Sequence, residues 1–203
     1  MITARWSLLP HLLSVLRPLI GAGIVAALAP SEESALVLPL VLLACASDWL
    51  DGEVARRLGS QTRAGRLVDN LCDFFFLLFL FEYFALCRLW SPPVWGTLIR
   101  YGAAANQLPV MALVASFGSY FVRLGLEIRA GRDPARSRRG HAAGVCNYVL
   151  VVAGGVELLP GVRLGPWLLE PAMLAVVLLN LSAVFENLAL MFHRESAGPR
   201  MSA

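Results

Sequence analysis

The segment Asp48-Trp49-Leu50-Asp51-Gly52-Glu53-Val54-Ala55-Arg56 is followed, after eight residues, by Gly65 and then by Asp69 and Asp73. It joins two strongly apolar runs, at 35–50 and 67–87, which read as successive membrane spans. Asp48 and Asp51 are spaced i, i+3 and Asp69 and Asp73 i, i+4, so each pair lines one face of a helix. Helices joined by a short loop are antiparallel neighbours, and the two pairs can face each other. Four converging carboxylates repel strongly unless divalent cations neutralise them. A ligand set of oxygens alone, without His or Cys, favours hard ions such as Mg²⁺ or Mn²⁺. Asp69 and Asp73 also stand within an apolar stretch, where ionisable groups are costly and usually functional. A merely solvated helix end leaves the matched spacing of both pairs unexplained.

The rest of the chain supports the membrane reading. Of its 203 residues 58% are hydrophobic and 15% charged, with a mean hydropathy of +0.67. An ordinary soluble domain is nearer half apolar and a quarter charged. This composition excludes a disordered chain, a disulfide-stapled secreted module and a nucleic-acid-binding domain. The expected fold is an all-α integral membrane domain with six transmembrane helices, near 12–29, 35–50, 67–87, 94–117, 142–159 and 167–192. It forms a single domain over 1–203, with the active site at the cytoplasmic ends of helices 2 and 3. Pro30, Ser91 to Pro93 and Pro160-Gly161 punctuate its tight connections. Ala27-Leu28-Ala29 imitates a signal-peptide cleavage site, but Arg17 interrupts the apolar core and Pro30 would sit at the cut. The first run is therefore expected to be retained as a span.

All 17 basic residues are arginine, and they set the orientation. With six spans, both termini and the second and fourth loops share a side that holds Arg5, Arg56, Arg57, Arg63, Arg66, Arg123, Arg129, Arg132, Arg136, Arg138, Arg139, Arg194 and Arg200. The other side holds Arg88 and Arg163. That asymmetry predicts a multi-pass protein of the inner (plasma) membrane with both termini cytoplasmic. Residues 123–141 are read as an arginine-rich cytoplasmic loop. It serves either orientation and anionic headgroups or the recognition of a phosphate. Cys45, Cys72, Cys87 and Cys146 form no CxxC pair and read as small core residues, and His11, His141 and His193 are too scattered for a metal cluster.

Without a gap, the opening segment reads D-x2-D-G-x2-A-R-x8-G-x3-D-x3-D and resembles the signature of the CDP-alcohol phosphatidyltransferase family. Chance agreement at its eight specified positions is on the order of 10⁻¹⁰ at a given start. Upstream, Pro10-His11-Leu12-Leu13-Ser14-Val15-Leu16-Arg17 resembles the family's P-N-x-L-T-x-x-R, with His11 for Asn and Ser14 for Thr. The resemblance implies transfer of a phosphatidyl group from CDP-diacylglycerol to an alcohol, with release of CMP, in phospholipid biosynthesis. It further implies two divalent ions, Mg²⁺ or Mn²⁺, on Asp48, Asp51, Asp69 and Asp73, with Asp73 also the catalytic base. Gly52, Ala55, Arg56, Thr62, Gly65 and Ser14 match positions that contact the CDP-lipid. Homodimers are common in the family.

The acceptor is read from finer likenesses. Thr62-Arg63-Ala64-Gly65 resembles the T-R-x-G of members that take phosphorylated alcohols. The stretch from Asp48 to Arg57 resembles phosphatidylglycerophosphate synthases, as does Ser137-Arg138-Arg139-Gly140-His141 beside their S-x-x-G-K. Those enzymes usually carry Pro and Lys where Asn70 and Phe74 stand. Glycerol 3-phosphate is the favoured acceptor and inositol phosphate or another polyol the alternative, with Arg63, Arg138 and Arg139 as candidate acceptor contacts. Glu82 lies about 180° around its helix from Asp73 and is expected to point away from the site, towards Arg100 or a subunit interface. Glu186 and Asn187 read as structural residues beside the acceptor cavity. A divalent-cation transporter would explain the acids but not Gly52, Ala55, Arg56 and Gly65, and its site would favour the membrane midplane. A catalytically silent membrane homologue is the other rival.

Overall fold

The computed structural model describes residues 9–28, 34–58, 63–87, 89, 102–131 and 137–195. Among these, six helices and no strand occur: α1 Leu9–Ala27, α2 Val37–Leu58, α3 Arg63–Leu86, α4 Gly102–Arg129, α5 Arg138–Glu157 and α6 Pro166–Glu195. Each corresponds to one of the six expected spans. At 1.5 Å per residue they run from about 28 to about 45 Å. By length and composition, the segments Gln107–Arg129 and Trp167–Phe192 could cross a membrane, and Ser14–Ala27 is a shorter apolar helix.

Helix α1 packs on α2 and α3, α6 on α4 and α5, and α3 and α5 tie the two groups together. The core is built largely by α3, whose Phe76, Leu77, Leu80, Phe81, Tyr83 and Phe84 are all buried. They meet Ile24 of α1, Val37, Val41 and Ala44 of α2, Leu113 of α4 and Leu150 and Val151 of α5. Two adjacent glycines let α5 approach both α2 and α3. A Cβ on Gly154 would come within 2.7 Å of the Phe84 ring, and one on Gly155 within 3.3 Å of the Leu38 backbone. Small residues at helix contacts are how apolar bundles bring backbones close. The outer surface is apolar as well, with Leu19, Leu43, Met111, Val149, Phe185 and Trp167 exposed. An exterior of that kind suits lipid rather than water. The cysteines match expectation: Cys72 and Cys87 are buried, Cys45 and Cys146 half-buried, and all four are free.

Two boundaries differ from the sequence reading in ways that matter for the site. Helix α4 continues to Arg129, so Arg123 belongs to a helix and is buried, rather than standing in a cytoplasmic loop. The apolar pattern had hidden this, because Arg123, Glu127 and Arg129 break the hydropathy without breaking the helix. Helix α5 begins at Arg138, four residues earlier than expected. Ser137 is its N-cap and accepts a hydrogen bond from the Gly140 amide at 2.8 Å, satisfying one of the donors that a helix start leaves open.

Candidate active site

The Asp48 to Arg57 stretch is helical throughout α2, and Gly65 to Asp73 is helical in α3. The two aspartate pairs do converge. Ligand oxygens of Asp48, Asp51 and Asp69 all lie within 4.8 Å of one another. Asp51 is buried, Asp73 largely so, and Asp48 and Asp69 are more open.

Sequence reasoning gave Arg17 no role in this cluster, yet it stands at the centre. Its guanidinium, fully buried, pairs with all four carboxylates. Nη1 donates to Asp48 at 2.6 Å and also to Asp73; Nη2 donates to Asp51 at 2.8 Å and also to Asp69. One turn earlier on α1, Ser14 Oγ lies 2.9 Å from Asp51 Oδ2 and 3.1 Å from Asp69 Oδ1. A lone arginine inside an apolar span needs a carboxylate partner, and that was the available signal.

Tyr148 of α5 was also missed. Its hydroxyl donates to Asp73 at 2.6 Å, and its ring stacks on Phe76 at 6.0 Å between centroids. Nothing in the local pattern distinguishes this tyrosine from an interfacial one, because only the packing of α5 on α3 brings it to Asp73.

From Asp48 and Asp73 a cavity of about 910 Å³ opens between α3, α4, α5 and α6. Its polar lining includes Arg66, Asn70, Tyr120, Arg123, His141 and Tyr148. Asn70 donates to the Tyr120 hydroxyl at 2.9 Å, and the Arg123 guanidinium lies over the Tyr120 ring at 5.7 Å and 3.8 Å from Glu127. The α5 start supplies Ser137, Gly140 and His141 to the wall, while the Arg138 and Arg139 side chains are exposed. Glu186 anchors that start, accepting from Ser137 Oγ at 2.5 Å and from the Arg139 amide at 3.0 Å. Asn187 lines the cavity and donates to Ser119 at 3.0 Å.

Gly52 and Gly65 lie half-buried beside the cluster on their helices, and Phe74 packs against Phe117 and Phe121. Thr62 and the side chains of Ala55, Arg56 and Arg63 lie outside the described residues, as does Arg100. Glu82 accepts from Gln107 at 3.3 Å.

The donor set suits a hard divalent cation: it is all oxygen, spans a few ångströms, and already gathers around a positive group. An acidic cluster at one end of an apolar helical bundle, opening onto a polar cavity with basic walls, has the makings of a site for phosphate-ester chemistry beside a lipid phase. The model of the CDP-alcohol phosphatidyltransferase family matches residues 7–187, and the chain belongs to that family. No curated protein and no solved structure matches it. Membership makes it a membrane-associated transferase of phospholipid biosynthesis, which moves a phosphatidyl group from a CDP-linked alcohol to an alcohol acceptor, and the family generally uses a divalent metal.

Proposed function

We propose that the protein transfers the phosphatidyl group of CDP-diacylglycerol to a small phosphorylated polyol and releases CMP. Glycerol 3-phosphate is the favoured acceptor and inositol phosphate the second. The observation that carries this reading is the single cavity joining Asp48 and Asp73 to Arg66, Arg123 and His141. A hydroxyl at its acidic end and a phosphate at its basic end would satisfy both at once, since guanidinium groups bind phosphate bidentately. Arg63 remains a further acceptor candidate from its motif, and Gly52, Ala55, Arg56, Thr62, Gly65 and Ser14 remain donor-side candidates.

In this reading Asp48, Asp51, Asp69 and Asp73 hold two ions, Mg²⁺ or Mn²⁺. When bound, such ions offset the charge of the diphosphate and make CMP a better leaving group. Asp73 takes the proton of the acceptor hydroxyl as that oxygen attacks the β-phosphorus. A carboxylate is a weak base for an alcohol, so proton removal accompanies attack rather than preceding it. Tyr148, fixed by its stacking on Phe76, orients the Asp73 carboxylate. The six helices are membrane spans, with the acidic end of the bundle at the cytoplasmic face. The arginine distribution supports this orientation, because the cavity is lined from the ends of α3, α4, α5 and α6 that it groups on one side. Donor tails can then stay in the leaflet while a water-soluble acceptor enters from the cytoplasm.

The test is CMP release by purified protein from CDP-diacylglycerol, with Mg²⁺ or Mn²⁺, across glycerol 3-phosphate, inositol phosphate, inositol, serine and phosphatidylglycerol. Metal-dependent release with a phosphorylated polyol is expected. Release with serine or free inositol instead would overturn the acceptor assignment while leaving the reaction class. Donor binding without release on any acceptor would favour the silent homologue.

A further inference from the structure

Resting on the metal reading of the aspartate cluster, we propose that Arg17 is an exchangeable internal cation. It holds the four carboxylates together before metal loading, then yields their oxygens to the incoming ions and turns its guanidinium to the donor diphosphate.

Three observations point this way. Arg17 contacts all four aspartates, using the carboxylate oxygens a metal would need, so the two kinds of cation compete for the same atoms. One guanidinium against four carboxylates leaves the cluster strongly negative, so this pairing is electrostatically incomplete. Third, Arg17 Nε is buried and has no hydrogen-bond partner. A purely structural buried arginine is expected to have its donors satisfied, since an unpaired buried donor costs free energy. A side chain that must leave this position has no use for a complete set of partners. Two divalent ions would reverse the imbalance, and a diphosphate then restores it close to neutrality only if the arginine charge stays nearby. Guanidinium geometry suits that second role.

The exchange makes an unusual forecast: removing a positively charged partner of the carboxylates should tighten metal binding. Mn²⁺ binding to the purified full-length protein is measured by electron paramagnetic resonance, together with thermal unfolding with and without Mn²⁺, for wild type, Arg17→Gln and Arg17→Lys. Arg17→Gln is expected to unfold earlier than wild type without metal, to bind Mn²⁺ at least tenfold more tightly, and to gain more in melting temperature from Mn²⁺. Arg17→Lys, which keeps the charge but loses the fork, should fall between them. If Arg17→Gln folds only with Mn²⁺ present, the exchange is supported. Failure to fold at any Mn²⁺ concentration, or Mn²⁺ affinity unchanged or weakened in both variants, would overturn it. If wild type and both variants all fail to bind Mn²⁺, the metal reading itself falls and the exchange with it. Equal binding by all three removes the exchange alone.

Discussion

Of the polar sets that lie among the apolar helices, two are built on opposite terms. Asn147 of α5 and Asn180 of α6 face each other as neutral amides: each donates to the other, at 3.4 and 2.8 Å, and Asn180 also donates to the Val176 carbonyl at 2.9 Å. Nothing charged is enclosed and the pair is self-satisfying, as a helix-to-helix clasp should be. The Arg17 cluster gathers one fully buried cation and four carboxylates, of which Asp48 and Asp69 stay partly open, with a buried donor left over. A buried set whose charges do not balance is costly as pure architecture. The difference sets a fastening apart from the candidate site.

The predictions test that separation. Chelation of divalent ions, or Asp73→Asn, should reduce CMP release by about 10³-fold or more, the upper range for loss of a positioned base. Donor binding should survive Asp73→Asn, as measured by CDP-diacylglycerol retention. Turnover at the wild-type rate in that variant would remove Asp73 from the chemistry. Arg66→Ala, at the exposed edge of the cavity, should raise the acceptor KM by about tenfold while leaving the donor KM within about twofold, consistent with loss of one charge-assisted hydrogen bond. An unchanged acceptor KM would detach the basic wall from substrate binding. Tyr148→Phe deletes one hydrogen bond to Asp73 and keeps the ring stacked on Phe76. It should lower kcat by about tenfold with little change in either KM. The smallest effect is expected at the clasp. Asn180→Leu should cost about 1 kcal/mol in detergent unfolding and leave saturated turnover within about twofold. A large loss of turnover there would break the comparison.

Much of the site was legible before folding because it is written in helical periodicity. Spacings of three and four residues put Asp48 with Asp51 and Asp69 with Asp73, and the short link between their helices made convergence the natural outcome. The six helices were legible for a similar reason, since long apolar runs have few alternatives to helix. Helix ends were less visible. The continuation of α4 to Arg129 is a polar extension of an apolar helix, and hydropathy alone assigns such residues to a loop.

By itself, then, the sequence determined the composition of the bundle, the acidic pairs and the family signature, all of which rest on contacts between near neighbours in the chain. Only the tertiary structure decided what the carboxylates meet. Arg17 lies 31 residues from Asp48 and 56 from Asp73, and Tyr148 lies 75 residues from Asp73. The cavity draws on five helices at once, from Asp48 of α2 to Asn187 of α6. No local pattern encodes such meetings, because they depend on how helices pack: on Gly154 and Gly155 letting α5 close against its neighbours, and on α1 lying along both α2 and α3.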